Sequence, residues 1–147
     1  MTQFLGRAQH TMDAKGRVSL PAKYRPILAA SELVLVEGTD QCLWLFRNEE
    51  YQKLIAPLLE DDFDETLNDL REVFITGAAY VEVDGSGRIR VPFELRDYAS
   101  LSKAVTITGK GTRMELWDSE VYEQHRQGID KKKSIAELNE RRKSQRS

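Results

Sequence analysis

Sliding the chain over itself by 71 positions aligns residues 6–51 with 77–122 without a gap. Thirteen of those 46 pairs are identical, where unrelated stretches of average composition give roughly 3. They include Gly6/Gly77, Asp13/Asp84, Gly16/Gly87, Arg17/Arg88, Pro21/Pro92, Arg25/Arg96, Gly38/Gly109 and Tyr51/Tyr122. A unit of about 45 residues built from short strands buries little surface alone, so two copies in one chain must complete each other's core. The expected arrangement is pseudo-twofold, with the halves pairing as two subunits of a dimer do.

Both units read alike locally. Residues 8–12 and 78–83 have strand character. An Asp-x-x-Gly turn follows, in which Asp accepts from its own backbone and Gly supplies a positive φ. The returning strands put Val18/Leu20 and Ile89/Val91 on one face and Arg17/Ser19 and Arg88/Arg90 on the other. Pro21 and Pro92 suit the first position of a short helix, and Pro26 should end or kink the first of these. A second hairpin joins residues 33–36 to 42–46, and its equivalent joins 105–107 to 114–117. Asn48 and Asp118 are expected N-caps, with Glu49 and Glu120 in the first turns. Tyr51, Leu54, Ile55, Leu58 and Leu59 make an amphipathic stripe that Pro57 must bend. The boundaries are thus 5–52 for the first unit, 53–75 for an acidic helical linker, 76–122 for the second unit and 123–147 for a basic tail. In that tail Ser134-x-x-Glu137 has the form of a capping box, although so little apolar content equally suits a frayed or disordered segment.

Net charge is −2, but its distribution is uneven. Residues 1–30 carry +4 and the equivalent stretch 72–101 carries −2. Residues 60–72 hold seven acids against one arginine, and the tail from Arg126 onward has eight bases and three acids. A polyanion would be met by the first unit and the tail. The lone Cys42 allows no intramolecular disulfide, and no stretch approaches the ~18 apolar residues of a membrane span, so a soluble cytoplasmic protein is expected. Two histidines and one cysteine give no triad, dyad or metal-ligand spacing, which argues against an enzyme and against a metal or other cofactor. His10 reads as a packing or surface residue.

Comparing the copies separates shared geometry from difference. Asp13/Asp84, Gly16/Gly87 and Pro21/Pro92 recur where turns demand those residue types, and read as structural. Arg25/Arg96 recur in one basic and one acidic setting, which favours an ion pair over ligand contact. Arg17/Arg88 are ambiguous by this test. Lys15 faces Ser86 and Lys23 faces Glu94, so these positive charges belong to the first copy alone. Bases on a turn and its outgoing strand suit phosphate contact, with Arg17 in reach of a guanine edge; a solvated charged hairpin is the alternative.

The segment D-A-K-G-R-V-S-L-P-A-K-Y-R over residues 13–25 closely resembles the first-repeat signature of the MraZ family of bacterial transcriptional regulators. The resemblance extends to F-L-G at 4–6, D-G-S-G-R at 84–88 and E-L-W at 115–117. It implies an α+β fold in which two tandem SpoVT-AbrB units form a swapped-hairpin β-barrel with flanking helices. It also implies a ring-shaped homo-oligomer, nucleoid-associated, binding double-stranded DNA at direct repeats upstream of the division and cell-wall gene cluster, usually as a repressor. The family's D-x-K-G-R motif maps its DNA-contacting bases onto Lys15 and Arg17; Arg7, Lys23 and Arg88 complete the candidate set. The alternative is an AbrB-like protein-interaction module whose basic tail engages a partner.

Overall fold

The computed structural model describes residues 3–146. Strand β1 (Arg7–Thr11) enters the first Asp-x-x-Gly turn and leaves as β2 (Arg17–Ser19). Pro21 has no N–H for a ladder, so the strand stops and a 3-10 turn (Ala22–Tyr24) leads into α1 (Arg25–Ala29). The hairpin β3 (Leu33–Glu37) and β4 (Leu43–Arg47) precedes α2 (Asn48–Ile55) and a second 3-10 turn (Ala56–Leu59). The acidic linker supplies α3 (Glu65–Arg71), continued by a π-helical turn (Glu72–Thr76). The second unit then gives β5 (Ala79–Val81), β6 (Arg88–Arg90), α4 (Phe93–Tyr98), β7 (Ala104–Gly109), β8 (Met114–Asp118) and α5 (Ser119–Gln127). Helix α6 (Lys131–Arg146) ends the described chain.

Six strands form one antiparallel sheet in the order β1-β7-β8-β4-β3-β5, and β2 pairs with β6 in a separate two-stranded ribbon. The six-strand order reads the same from either end once each strand is exchanged for its repeat equivalent. Trp44 lies opposite Glu115 in the β4–β8 ladder, and Val18 lies opposite Ile89 in the ribbon. Each of these pairs joins equivalent positions of the two units, so the pseudo-twofold axis runs through both.

The main core fills the space between ribbon and sheet. Val18, Leu20, Ile89 and Val91 descend from the ribbon onto Leu35, Leu45, Ile107 and Leu116 of the sheet. Each such side chain contributes about 1.5–3 kcal/mol by leaving water. On the outer face of β3, Val34 and Val36 meet Tyr51, Ile55 and Leu58, with Leu54 partly buried beside them, so the amphipathic stripe read from the sequence packs except at its end, where Leu59 is 54% exposed. The outer face of the other half is covered by α5, where Trp117 meets Tyr122 and His125.

Several expectations are corrected. No closed barrel forms among the described residues, because β1 and β5 each pair on one side only and β1 reaches β2 through a single bridge, Met12–Val18. The two prolines are extended residues immediately before the helices, with ψ of 129° and 147°, rather than the first helical residues. The break expected at Pro26 falls at Tyr24, and Pro26 sits in the first turn of α1, where a missing N–H is harmless. Asn48 is not an N-cap: β4 runs on to Arg47, and the Asn48 N–H donates to the Glu32 carbonyl at 2.8 Å. Asp118 does cap α5, accepting from the Val121 N–H at 3.1 Å. The tail is helical, and its cap is Asp130, which accepts from the Lys133 N–H at 3.0 Å, so Ser134 starts no helix.

Candidate nucleic-acid interface

Each ribbon strand is entered through an Asp-x-x-Gly turn that its own side chains build. Asp13 Oδ1 accepts from the N–H groups of Lys15 and Arg17 at 3.0 and 2.9 Å, and its Oδ2 accepts from Arg17 Nε at 2.7 Å. Asp84 repeats the pattern with Ser86, Arg88 and Arg88 Nε at 2.8, 3.0 and 3.1 Å. Gly16 and Gly87 close the turns at φ of +81° and +78°, the left-handed region that disfavours a side chain.

Each turn is then locked by the opposite unit. The Leu20 N–H donates to the Gly87 carbonyl at 3.0 Å, and the Val91 N–H donates to the Gly16 carbonyl at 2.8 Å. Arg96 packs over Gly16 and Arg25 over Gly87, so closely that a Cβ at either glycine would stand within 2.7 Å of the guanidinium arm. The expected ion pairs of Arg25 and Arg96 are absent among the described residues. Arg25 Nε instead donates to the Leu20 carbonyl at 2.8 Å. Both arginines bridge the units by packing, which explains why they recur in settings of opposite charge.

With Val18 and Ile89 turned inward, the ribbon's outer face carries Arg17 opposite Arg90 and Ser19 opposite Arg88. Lys15 stands exposed on the turn beside them. Arg17 is steered by its Nε contact with Asp13 at 2.7 Å, and its side chain stays about one-third exposed. Arg88 reaches both turns, 3.1 Å from Asp84 and 3.9 Å from Asp13. Arg90 is exposed and has no ion pair among the described residues. The outcome is four bases and two acids around the pseudo-twofold axis, with the acids engaged in holding turn and arginine.

Of the sequence-derived candidates, Lys15, Arg17 and Arg88 come together on this face. Lys23 stands exposed on the 3-10 turn beyond Pro21, 5.4 Å from the Tyr24 ring. Arg7 lies apart: it begins β1, roughly 20 Å of extended chain before the turn, and sits 6.0 Å from the Tyr122 ring. Arg90 was the omission. The R-I-R alternation put it on the polar face, but only the cross-strand register sets it opposite Arg17.

Away from the ribbon, burial perturbs Cys42 and His10. The Cys42 thiol is pushed up to about 12, first by burial and then by the charge of Glu115. Burial, aided by Arg25, lowers His10, whose Nε2 has no hydrogen-bond partner. No group of three or more His, Cys, Asp or Glu is placed to hold a metal among the described residues, and none of their helices is long and apolar enough to cross a membrane.

The turns carry a pH dependence. The Arg17 N–H holds the Asp13 carboxyl below its ordinary value, and the Arg88 N–H does the same for Asp84. A folded-state pKa below the unfolded one stabilises the fold at neutral pH, and that contribution is lost as pH falls below about 4 through the depressed values. The Asp13→Asn/Asp84→Asn protein is therefore expected to show a flatter acid limb in urea unfolding between about pH 5 and 2 than the parent. Parallel acid limbs would remove these carboxylates from the cause.

A family model described as "MraZ protein, putative antitoxin-like" matches residues 3–72 and 74–146. The chain is 43% identical over 123 residues to a protein of Acetivibrio thermocellus named Transcriptional regulator MraZ, spanning 83% of this chain and 85% of that one. Proteins of the same name from Thermoanaerobacter sp. and Carboxydothermus hydrogenoformans are each 39% identical. These alignments cover 86% and 85% of this chain, and 88% and 87% of those relatives.

Proposed function

The chain belongs to the MraZ family, and from that premise we propose that it is a transcriptional regulator that binds double-stranded DNA through the β2–β6 ribbon. The observation that carries the reading is the outward set Lys15, Arg17, Arg88 and Arg90, presented by a rigid two-stranded element whose turns are fixed from both units. Two-stranded ribbons fit the DNA major groove, and arginine pairs with guanine or phosphate in a bidentate manner. The operator is a set of promoter direct repeats at the division and cell-wall gene cluster, and the regulator acts as a repressor in the nucleoid. Relatives named Transcriptional regulator MraZ at 37–43% identity support the regulatory role itself.

One ribbon with a few phosphate contacts binds weakly. A homo-oligomeric ring presents the ribbon repeatedly, and linked sites multiply affinity through effective concentration. This accounts for DNA binding by a chain of net charge −2. Within each protomer the tandem units supply the two equivalent strands that pair in the ribbon.

The test is gel shift on the protein's own upstream DNA across a salt series. Arg17→Ala is expected to weaken binding at least tenfold with fold and mass unchanged, as loss of a bidentate contact does. Lys15→Ala lowers the salt slope by about one for each engaged protomer. Arg7→Ala, far from the ribbon, leaves the slope unaltered. Normal binding by an Arg17→Ala/Arg90→Ala protein would sink the ribbon assignment.

A further inference from the structure

Helix α6 is exposed along its whole length, unlike the other helices of the described residues. Its sequence is nevertheless patterned. Lys131, Ile135, Leu138 and Arg142 fall at i, i+4, i+7 and i+11, a single stripe about 16 Å long. Its centre is apolar, its ends are basic, and Glu137 and Glu140 lie on other faces. A sixteen-residue helix without tertiary packing is marginal in water, so this stripe calls for a surface to cover it.

The acidic linker has the complementary character. Glu65, Asp69 and Glu72 are exposed at i, i+4 and i+7, next to exposed Asp61, Asp62 and Asp64. Among them stand Leu59, Leu70 and Phe63, the last 96% exposed. Arg71 is the one base within residues 60–72, and it lies 3.9 Å from Asp62. Apolar surface framed by acids thus matches apolar surface framed by bases. The α6 of the same chain does not cover it, because every residue of that helix is open.

We infer that α6 of one copy docks on the acidic linker of a second copy, Ile135 and Leu138 against Phe63 and Leu70, with Lys131 and Arg142 meeting the Glu65–Asp69–Glu72 row. DNA is the poorer occupant, since the middle of the stripe is apolar and a phosphate backbone offers it nothing. The inference rests on the homo-oligomer proposed above and adds the contact that joins its protomers.

The experiment is solution mass by light scattering of the full chain without DNA, at low salt. Lys131→Glu/Lys132→Glu/Arg142→Glu should lower the mass of the assembly, as should Glu65→Lys/Asp69→Lys/Glu72→Lys. One chain carrying both sets should regain it. Circular dichroism checks folding, and the tail changes touch nothing within their own chain. A parent protein with the mass of one chain would overturn the oligomer and the docking together. A parent oligomer unmoved by either set, or not regained by the combined chain, would overturn the docking alone. Weaker DNA binding by the tail variant at unchanged mass would assign α6 to DNA instead.

Discussion

Arg113→Ala is expected to lower the unfolding free energy by about 3–5 kcal/mol, the usual consequence of leaving a buried charge without its partner. The charge is Glu115, 3% exposed and second in β8. Its Oε2 accepts from Arg113 Nη2 and Nε at 2.8 and 3.1 Å, while Oε1 accepts from Trp117 Nε1 at 3.0 Å. The same guanidinium lies 4.0 Å from the centre of the Trp44 ring, so alanine also uncovers an indole. Thermal unfolding should move down by about 10 °C. Glu115→Gln in the same chain should recover much of the loss, because a neutral amide needs no counter-charge and its oxygen still accepts from Trp117. A single variant within about 1 kcal/mol of the parent would show that the carboxylate is hydrated or free to relax, contrary to its burial.

The turn glycines give the second large effect. Gly87→Ala places a Cβ 2.6 Å from Arg25 Cδ at a φ of +78°, and Gly16→Ala places one 2.7 Å from Arg96 Nε at +81°. Each substitution is expected to destabilise by about 2–3 kcal/mol, the sum of backbone strain and displacement of the covering arginine. The two parts separate in a cycle. In an Arg96→Ala background the added cost of Gly16→Ala should shrink to about 1 kcal/mol, the backbone share alone. An equal cost in both backgrounds would mean that the arginine is not what demands glycine. Because the turn also carries Lys15 and Arg17, operator binding should fall even where the fold survives.

What could be read from the residues depended on how far each interaction reaches. The Asp-x-x-Gly turns and the Asp118 cap were legible because donor and acceptor lie within four residues. The repeat showed that the halves complete each other, and the strand order agrees with that. Arg25 and Arg96 were misread because their partners are glycines of the other unit, and a guanidinium lying over a bare Cα leaves no complementary charge in the sequence. Arg90 went unselected for a related reason: cross-strand register decides its neighbour. The closed barrel was not legible because closure depends on pairing between the edge strands, which a local motif does not specify. Helix α6 was undervalued because apolar content measures burial within one chain only.

The pair on the pseudo-twofold axis, Trp44 against Glu115, has a consequence for ancestry. A symmetric association of separate identical polypeptides must place the same side chain on both sides of its axis, so a carboxylate buried there would confront its own image. Fusion lifts that restriction: one half supplies an indole, the other a carboxylate, and Arg113 joins them. Neither half, produced alone and left to self-associate, can rebuild the centre of this sheet.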